Sequence, residues 1–345
     1  MSLYIAEFME GARNFYRYFN VKRGDHVLLV PTSEFVYSDP LALEALTAAA
    51  REIGAEPLIF IITKPRGRQL PEVHPEPLTR ALMACDLFLG LGIDPPNPIS
   101  GHCVAALTAR WDHGVKQADL AAGRGKVLAT EWARFPPEKI FAMGRRLFRS
   151  LEKARAVHVT SPNGTDLIVD YDPYLITGSL TVPALEYGYA TAGMRATYPL
   201  GVLGFLSDVG TQGKAVLDCL SGHVGKLDHP VNWTVKENRV TDIAGGEEAA
   251  RVRAEIEGLE NADYIALITI GLNPKARLWE GLMSGRHGEA QRHEGVVRIA
   301  LGDRPGGNNS PMHGVSGEIL DATVEVNGEL IVDRGRLPVL REITE

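Results

Sequence analysis

The chain has 345 residues, of which 45% are hydrophobic and 23% charged, a composition typical of folded globular proteins. Its length favours two domains over a single hydrophobic core. The net charge of -7 and the sequence pI near 5.9 argue against nucleic acid or an anionic membrane as the principal partner, because either would need a basic surface.

Three widely spaced cysteines, Cys85, Cys103 and Cys219, form no C-x-x-C pair, so neither a disulfide framework nor a structural zinc site is predicted. The N-terminus lacks a basic segment followed by an apolar one, which is the pattern of a signal peptide. No window approaches about eighteen uninterrupted apolar residues, so we expect no membrane span. These features predict a cytoplasmic protein.

Residues 1–154 alternate between amphipathic helical patterns and short apolar strands. Helices are predicted at 4–19, from 40 to a stop at 54, at 77–83 and at 136–154, and strands at 26–31, 57–62, 86–91 and 126–130. This alternation predicts a doubly wound parallel α/β domain with helices on both faces of the sheet. The first strand runs into Pro31-Thr32-Ser33-Glu34 and not into G-x-G-x-x-G, so we do not expect dinucleotide binding.

From residue 155 the pattern changes, and residues 155–345 predict a mostly antiparallel, β-rich catalytic domain. Asn163-Gly164 separates two apolar runs and predicts a hairpin, because Asn-Gly supplies the positive φ angles of a tight turn. Further strands are predicted at 214–220, 231–235, 239–243, 264–270 and 296–301, with a helix at 246–259 and a closing hairpin at 323–332. The predicted fold class therefore combines α/β and α+β.

The stretch from Tyr264 to Asp321 holds the candidate chemistry. An apolar strand runs into a turn at residues 271–276, and His- and Arg-rich residues, a second strand and His313 follow. Strand ends beside glycine-rich loops let side chains project into a cavity from a fixed backbone, which is the usual construction of a catalytic site. We expect three polar residues of this stretch to bind a small-molecule substrate: Asn273, Glu294 and Asp303.

Five short motifs occur in order along the chain: Tyr37-Ser38-Asp39-Pro40, Asn163-Gly164-Thr165-Asp166-Leu167, Ala244-Gly245-Gly246-Glu247-Glu248-Ala249, Ile270-Gly271-Leu272-Asn273-Pro274-Lys275-Ala276 and Arg298-Ile299-Ala300-Leu301-Gly302-Asp303. As a set, they resemble the metallo-aminopeptidases T and S and 2,5-dihydroxypyridine 5,6-dioxygenase, which resemble one another as one superfamily. The resemblance implies a homo-oligomer and a metal site in the C-terminal domain. That site would hold two metal ions in the peptidases and one ferrous ion in the dioxygenase.

The resemblance also implies which positions would hold the metal, and most of them carry no ligand here. The Gly-Glu pair of the peptidases corresponds to Gly213-Lys214, the next ligand to Leu267, and the histidine before Ile-Ala-Leu-Gly to Arg298. In the terminal His-x-Asp motif, the first member is His313 and the second falls on Val315. A lone imidazole does not hold a catalytic divalent ion, because three or more ligands are normally needed.

Our principal hypothesis is that Lys214 and Arg298 occupy the space of the lost metal ion. The two cations would polarise a carbonyl or hold a carboxylate, and His313 would carry protons as general acid or base. The expected activity is hydrolysis of a C–N (amide-type) bond in a small anionic or heterocyclic substrate, without a cofactor.

Other interpretations stay open at this point. The two cations are structural partners of nearby carboxylates, of which the sequence offers Glu294, Asp303 and Glu318. Alternatively, one divalent ion, Fe or Zn, is bound by a rebuilt ligand set: His313, His293 and Glu294, with His287 and Asp303 as further donors. The activity would then be that of a ferrous ring-cleaving dioxygenase of hydroxylated pyridines or of a metal-dependent aminopeptidase. A non-catalytic small-molecule binder is the alternative from another functional class.

Overall fold

The structure is a computed structural model that describes residues 3–62, 76–92, 104–121, 124–154, 156–177, 182–199, 201–207, 210–220, 225–278, 289–302 and 315–344. The chain divides into two compact units, Met1–Glu138 with Pro183–Leu200, and Lys139–Val182 with Gly201–Glu345. This division differs from the single boundary expected at 154/155. The chain passes between the units three times, because Pro183–Leu200 returns to supply a strand to the first sheet.

The first unit contains a five-stranded sheet in the order β2-β1-β3-β4-β7, in which every pair is parallel. Its strands are β1 (His26–Pro31), β2 (Glu56–Ile59), β3 (Leu87–Leu91), β4 (Lys116–Leu120) and β7 (Arg195–Tyr198). The described helices up to residue 187 are α1 (Leu3–Tyr18), α2 (Ser33–Ser38), α3 (Pro40–Ile53), α4 (Glu76–Ala84), α5 (Val104–His113), α6 (Glu131–Arg134), α7 (Pro137–Leu151) and α8 (Val182–Tyr187). Of these, α7 lies almost entirely in the second unit.

Local sequence signals explain the elements of this unit. The run Val27-Leu28-Leu29-Val30 in β1 is fully buried without alternation, as expected for a central strand that is covered on both faces. Helix α3 begins with Pro40 and ends at Ile53, where Gly54 caps it: its amide donates to the Ala50 and Arg51 carbonyls, and its φ of 83°, which glycine adopts readily, turns the chain away from the helix. The parallel α/β part of the predicted fold class is confirmed.

Residues 126–130, which the sequence predicts as a strand, instead lie mostly in the 3-10 helix Gly125–Ala129. The strand that pairs with β4 comes from Arg195–Tyr198, much later in the chain. Val127 and Leu128 are buried all the same. The apolar pattern therefore predicted burial correctly, but the conformation depended on which segment reached the sheet edge.

The second unit is mostly antiparallel, which confirms the β-rich part of the predicted fold class. Its strands are β5 (Ala156–Thr160), β6 (Asp166–Thr177), β8 (Val202–Ser207), β9 (Gln212–Leu217), β10 (Cys219–Leu220), β11 (Val231–Lys236), β12 (Arg239–Ala244), β13 (Ile265–Gly271), β14 (Val297–Leu301), β15 (Ser316–Ile319), β16 (Thr323–Val326) and β17 (Glu329–Val332), and its later helices are α9 (Glu247–Ile256) and α10 (Pro338–Thr344). The strand order is β10-β15-β14-β13-β8-β6-β5-β16-β17, with β9 pairing with β6 and β11, and β12 with β11.

The hairpin predicted at Asn163-Gly164 joins β5 to β6, but its connection is longer than a two-residue turn. It spans residues 161–165, and within it only Gly164, at φ 98°, has a positive φ. The Gly164 amide donates to the Ser161 carbonyl at 3.0 Å, and the Thr165 hydroxyl donates to the Val216 carbonyl of β9 at 3.3 Å. Contacts from the neighbouring strand therefore help to fix this loop.

Strands β13, β14 and β15 position the candidate site. Every residue in all three is buried, and β13 pairs on its other side with β8. Side chains alternate along each strand, so each face of this part of the sheet receives every second residue. No helix among the described residues is long and apolar enough to cross a membrane.

Gly271, at the end of β13, lies against the backbone of the segment that leads to β14. A Cβ atom at this position would overlap the His293 carbonyl, which is a backbone group and cannot rotate away. We predict that Gly271→Ala lowers the free energy of unfolding by about 3 kcal/mol, measured by urea denaturation. Gly246→Ala is the matched control, since the nearest atom there lies 3.9 Å away, and its loss should stay within about 1 kcal/mol. Equal losses in both variants would contradict the steric explanation.

Candidate functional site

A row of directly opposed residues crosses five strands on one face of the second unit's sheet. Gly204 of β8 lies opposite Thr269 of β13, and Thr269 lies opposite Arg298 of β14. Arg298 lies opposite Glu318 of β15, which in turn lies opposite Cys219 of β10. Opposed residues of an antiparallel ladder share a face, with Cβ atoms about 5 Å apart. We call Thr269, Arg298 and Glu318 the polar row.

Apolar residues flank the polar row on the same face. The next row on this face lies two residues along each strand from the polar row. In it, Leu267 lies opposite Ala300, and Ala300 lies opposite Ser316. In the other direction, Val296 and Leu320 belong to one apolar cluster. A charged strip between apolar walls is the arrangement that binds a small molecule with one polar end and an apolar body.

Arg298 is held in a fixed position within the polar row. Its Nε donates to the Ser316 hydroxyl at 3.0 Å and lies 4.0 Å from Glu318 Oε1. Arg298 is 5% exposed and Glu318 is 4% exposed. Charges interact more strongly away from bulk water, so this guanidinium is preorganised to stabilise negative charge that develops beside it.

Glu318 has the acid–base properties of a proton carrier. Burial raises the pKa of its carboxyl to about 7, although the positive charge of Arg298 opposes that rise. A carboxyl group with a pKa near neutrality both accepts and returns protons under physiological conditions.

Burial, together with Glu318 and Asp218, raises the pKa of the Cys219 thiol to about 12. The thiol therefore stays protonated at neutral pH and is a poor nucleophile.

A second buried arginine, Arg292, lies within electrostatic reach of Arg298 on the 3-10 helix Ala290–Arg292. Burial lowers the pKa of Arg292, and Arg298 lowers it further, whereas Glu289 raises it. Gly201, just before β8, allows close packing here, because a Cβ at that position would lie 3.2 Å from the Arg292 Cβ. Two arginines therefore concentrate positive charge in this part of the unit.

Asn273, which we expected to bind substrate, is buried and supports the backbone. Its side-chain Oδ1 accepts a hydrogen bond from the Lys275 backbone amide at 2.9 Å, and its backbone amide donates to the Arg292 carbonyl at 2.9 Å. Asn273 therefore helps to position the segment that carries Arg292. Direct contact with substrate stays a prediction for this residue.

His293 and Glu294, expected as metal ligands if a metal is bound, both form hydrogen bonds to backbone groups. His293 Nδ1 donates to the Ala276 carbonyl at 2.6 Å, which leaves Nε2 as the only ring nitrogen with a free lone pair. Glu294 Oε1 accepts from the Leu337 amide at 2.8 Å. Within the described ranges, no group of three or more His, Cys, Asp or Glu side chains is arranged to hold a metal ion. Three residues of the hypotheses lie outside those ranges: His287, Asp303 and His313.

Lys214, which our principal hypothesis places beside Arg298, is an exposed residue of β9, and a site shared by the two stays a prediction. A Cβ on Gly317 would meet the Leu217 side chain, so Leu217 of β9 packs on the face of β15 opposite to the polar row. Side chains alternate along β9, so Lys214 points away from that contact, and it is exposed. The backbone of β6 passes so close to Gly213, which has a φ of 127°, that this position requires glycine. The Gly213-Lys214 pair is thus explained by strand packing, and Lys214 takes no part in the function proposed below.

In the terminal motif, Val315 and the next residue, Ser316, lie on different faces of the sheet. Val315 alternates with Ser316, so its side chain lies on the opposite face, and Ser316 is the residue that contacts Arg298. Of the carboxylates considered as partners of the arginine, Glu318 lies beside it. The sequence analysis missed the central position of Thr269, although this residue is the one polar side chain in the apolar run of β13. That interruption was the available signal.

The comparisons with known proteins support the superfamily resemblance. The family model of NicX, 2,5-dihydroxypyridine 5,6-dioxygenase, matches residues 133–339. The 2,5-dihydroxypyridine dioxygenase from Pseudomonas putida KT2440 superposes with a TM-score of 0.76 at 19% identity, covering 97% of this chain and 98% of that one. AmpT from Thermus thermophilus superposes with a TM-score of 0.60 at 13% identity, covering 96% and 99% respectively. No curated protein matches the sequence.

The described residues at the matched metal positions do not fit a divalent ion. Leu267 is apolar, Arg298 has no lone pair to donate, and Val315 lies on the other face. Lys214 is exposed, and its ammonium group has no lone pair to donate. Glu318 is the carboxylate beside Arg298, and one carboxylate is not a ligand set. We therefore derive no chemical step through a metal ion.

The raised pKa of Glu318 predicts a specific dependence of stability on pH. Between pH 4.5 and about 7, ionisation of this carboxyl favours the unfolded chain, because only the unfolded state releases the proton easily. Wild type should therefore lose about 3 kcal/mol over this range relative to Glu318→Gln, and the difference should stay constant above it. Urea denaturation from pH 4 to pH 8 measures it. Parallel stability curves for the two proteins would show that Glu318 ionises normally.

Proposed function

Because this chain belongs to the 2,5-dihydroxypyridine 5,6-dioxygenase family and carries Arg298 where the resemblance implies a metal-binding histidine, we propose that it is a hydrolase of C–N bonds. The substrate is a small amide, open or cyclic, that bears a negative charge or a heterocyclic ring. The observation that carries this proposal is the buried contact of Arg298 with Ser316 and Glu318.

Arg298 is the electrostatic stabiliser in this proposal. Amide hydrolysis adds water to the carbonyl carbon, and negative charge develops on the carbonyl oxygen. A guanidinium already fixed by Ser316 stabilises that charge without reorganising during the reaction. The nearby charge of Arg292 favours binding of an anionic substrate.

Glu318 is the proton carrier in this proposal. As a carboxylate, it accepts a proton from the attacking water; as an acid, it gives that proton to the nitrogen when the C–N bond breaks. The products are a carboxylic acid and an amine, and a pKa of about 7 suits both transfers at neutral pH. The sequence analysis gave this role to His313. That residue stays a candidate for it, three positions before Ser316 in the chain.

Membership of the family favours a second candidate, the ring-cleaving dioxygenase reaction. This reaction needs a ferrous ion, and the described residues at the matched positions supply no ligand set for one. A metal-dependent aminopeptidase has the same requirement. Both activities would therefore need ligands from the undescribed part of the chain.

Removing the Arg298 guanidinium tests the proposed catalytic role. Release of amine or ammonia is measured for a panel of small amides, each bearing a carboxylate, with their methyl esters as neutral counterparts. We predict that Arg298→Met lowers kcat/KM by about 100-fold or more, because charge on the carbonyl oxygen is no longer stabilised. Wild type should prefer the carboxylates to the esters.

Arg239→Met is the matched control for that substitution. Arg239 is a partly exposed arginine of the same unit, and its Nη1 lies 2.7 Å from Asp263 Oδ1. Its replacement should leave kcat/KM within about twofold of wild type, as expected for an exposed ion pair. Hydrolysis at the wild-type rate by Arg298→Met would rule out the proposed role.

The metal content separates the proposal from the dioxygenase candidate. Protein purified without chelators should contain less than about a tenth of an equivalent of iron or zinc. It should consume no oxygen when mixed with 2,5-dihydroxypyridine under air. Near-stoichiometric iron together with oxygen uptake would replace the hydrolase proposal by the dioxygenase reaction.

A further inference from the structure

A buried hydroxyl in the polar row makes no hydrogen bond to the described residues. Thr269 is 3% exposed, and its Oγ1 has no partner in the part of the chain that the structure describes. A buried polar group without a partner costs free energy, and folded proteins keep few of them. Such a group in the middle of a candidate site is best explained by a ligand that completes its hydrogen bond.

The neighbours of Thr269 across the sheet are a glycine and an arginine. Gly204 lies directly opposite on β8 and has no side chain. Arg298 lies directly opposite on β14 and presents a guanidinium on the other side. Leu267, two residues before Thr269 on the same face, is its apolar neighbour along β13. The Thr269 hydroxyl therefore lies between a residue without a side chain and a guanidinium.

We propose that Thr269 is a substrate-binding residue whose hydroxyl, together with Arg298, holds the carbonyl oxygen of the substrate on the face that carries the polar row. This inference rests on the proposed hydrolase function and adds a second hydrogen-bond donor to its oxyanion site. The ligand class is a compact oxygen anion on an apolar body, where the body lies against Leu267 and Ala300. The carboxylate product of amide hydrolysis belongs to this class.

Thr269→Val tests the proposal, since valine has nearly the shape of threonine but lacks the hydroxyl. Benzoate and isobutyrate are the probes, and titration calorimetry measures their dissociation constants. We expect Thr269→Val to weaken binding of both probes about tenfold, the usual effect of one hydrogen bond to a charged group. Thr269→Ser keeps the hydroxyl and should bind within about threefold of wild type.

The melting temperature without ligand provides a second, independent readout. Thr269→Val should melt at or above the wild-type temperature, because the variant no longer buries an unsatisfied hydroxyl. A lower melting temperature would mean that the hydroxyl has a structural partner, and this would overturn the proposal. Unchanged affinity for both probes in Thr269→Val would overturn it too, as would the absence of binding to wild type at millimolar concentrations.

Arg298→Met separates failure of this inference from failure of the proposed function. If this variant loses probe binding while Thr269→Val binds normally, the arginine site stands and only the role of Thr269 is wrong. If Arg298→Met binds both probes as tightly as wild type does, the oxyanion site lies elsewhere and the hydrolase proposal fails with it.

Discussion

The register of the ladder from β8 through β13 and β14 to β15 decides which side chains meet in this protein. A slip of one residue would turn Arg298 to the opposite face and replace it by an isoleucine or a valine. That opposite face is filled by opposed apolar residues, including Ile268 with Ile299 and Phe205. The burial that stabilises the sheet therefore also aligns the polar row. The candidate site lies on one face of this sheet, and the strands that form the sheet also position its side chains.

Burial in this register also gives the polar residues their chemistry. It removes water from around Glu318, which raises the pKa of the carboxyl, and it strengthens the field of Arg298. It also leaves the Thr269 hydroxyl without a hydrogen bond to any residue that the structure describes. Burying the carboxyl, the guanidinium and the hydroxyl each costs folding free energy, and the three groups lie together in one row. Such a local loss of stability is expected at functional sites.

The sequence predicted what depends on local signals and missed what depends on distant partners. Helix α3 was predictable because Pro40 and Gly54 mark its ends within one short segment. The exposure of Lys214 depends on how β9 lies over β15, and no motif match contains that information. The raised pKa of Glu318 depends on burial by strands that are remote in the sequence. The two family-matched residues Leu267 and Arg298 lie on one face of the sheet.

Strand β7 (Arg195–Tyr198) pairs with β4 at the edge of the first sheet, although β5 and β6 of the second unit precede it in the chain. During synthesis, the ribosome therefore delivers four strands of this sheet well before the fifth. Until then, the backbone amides and carbonyls along β4 are an open edge on which a second nascent chain can add a strand. A fragment that stops at residue 138 or 154 would keep this edge open permanently, and such fragments should aggregate where the intact chain does not.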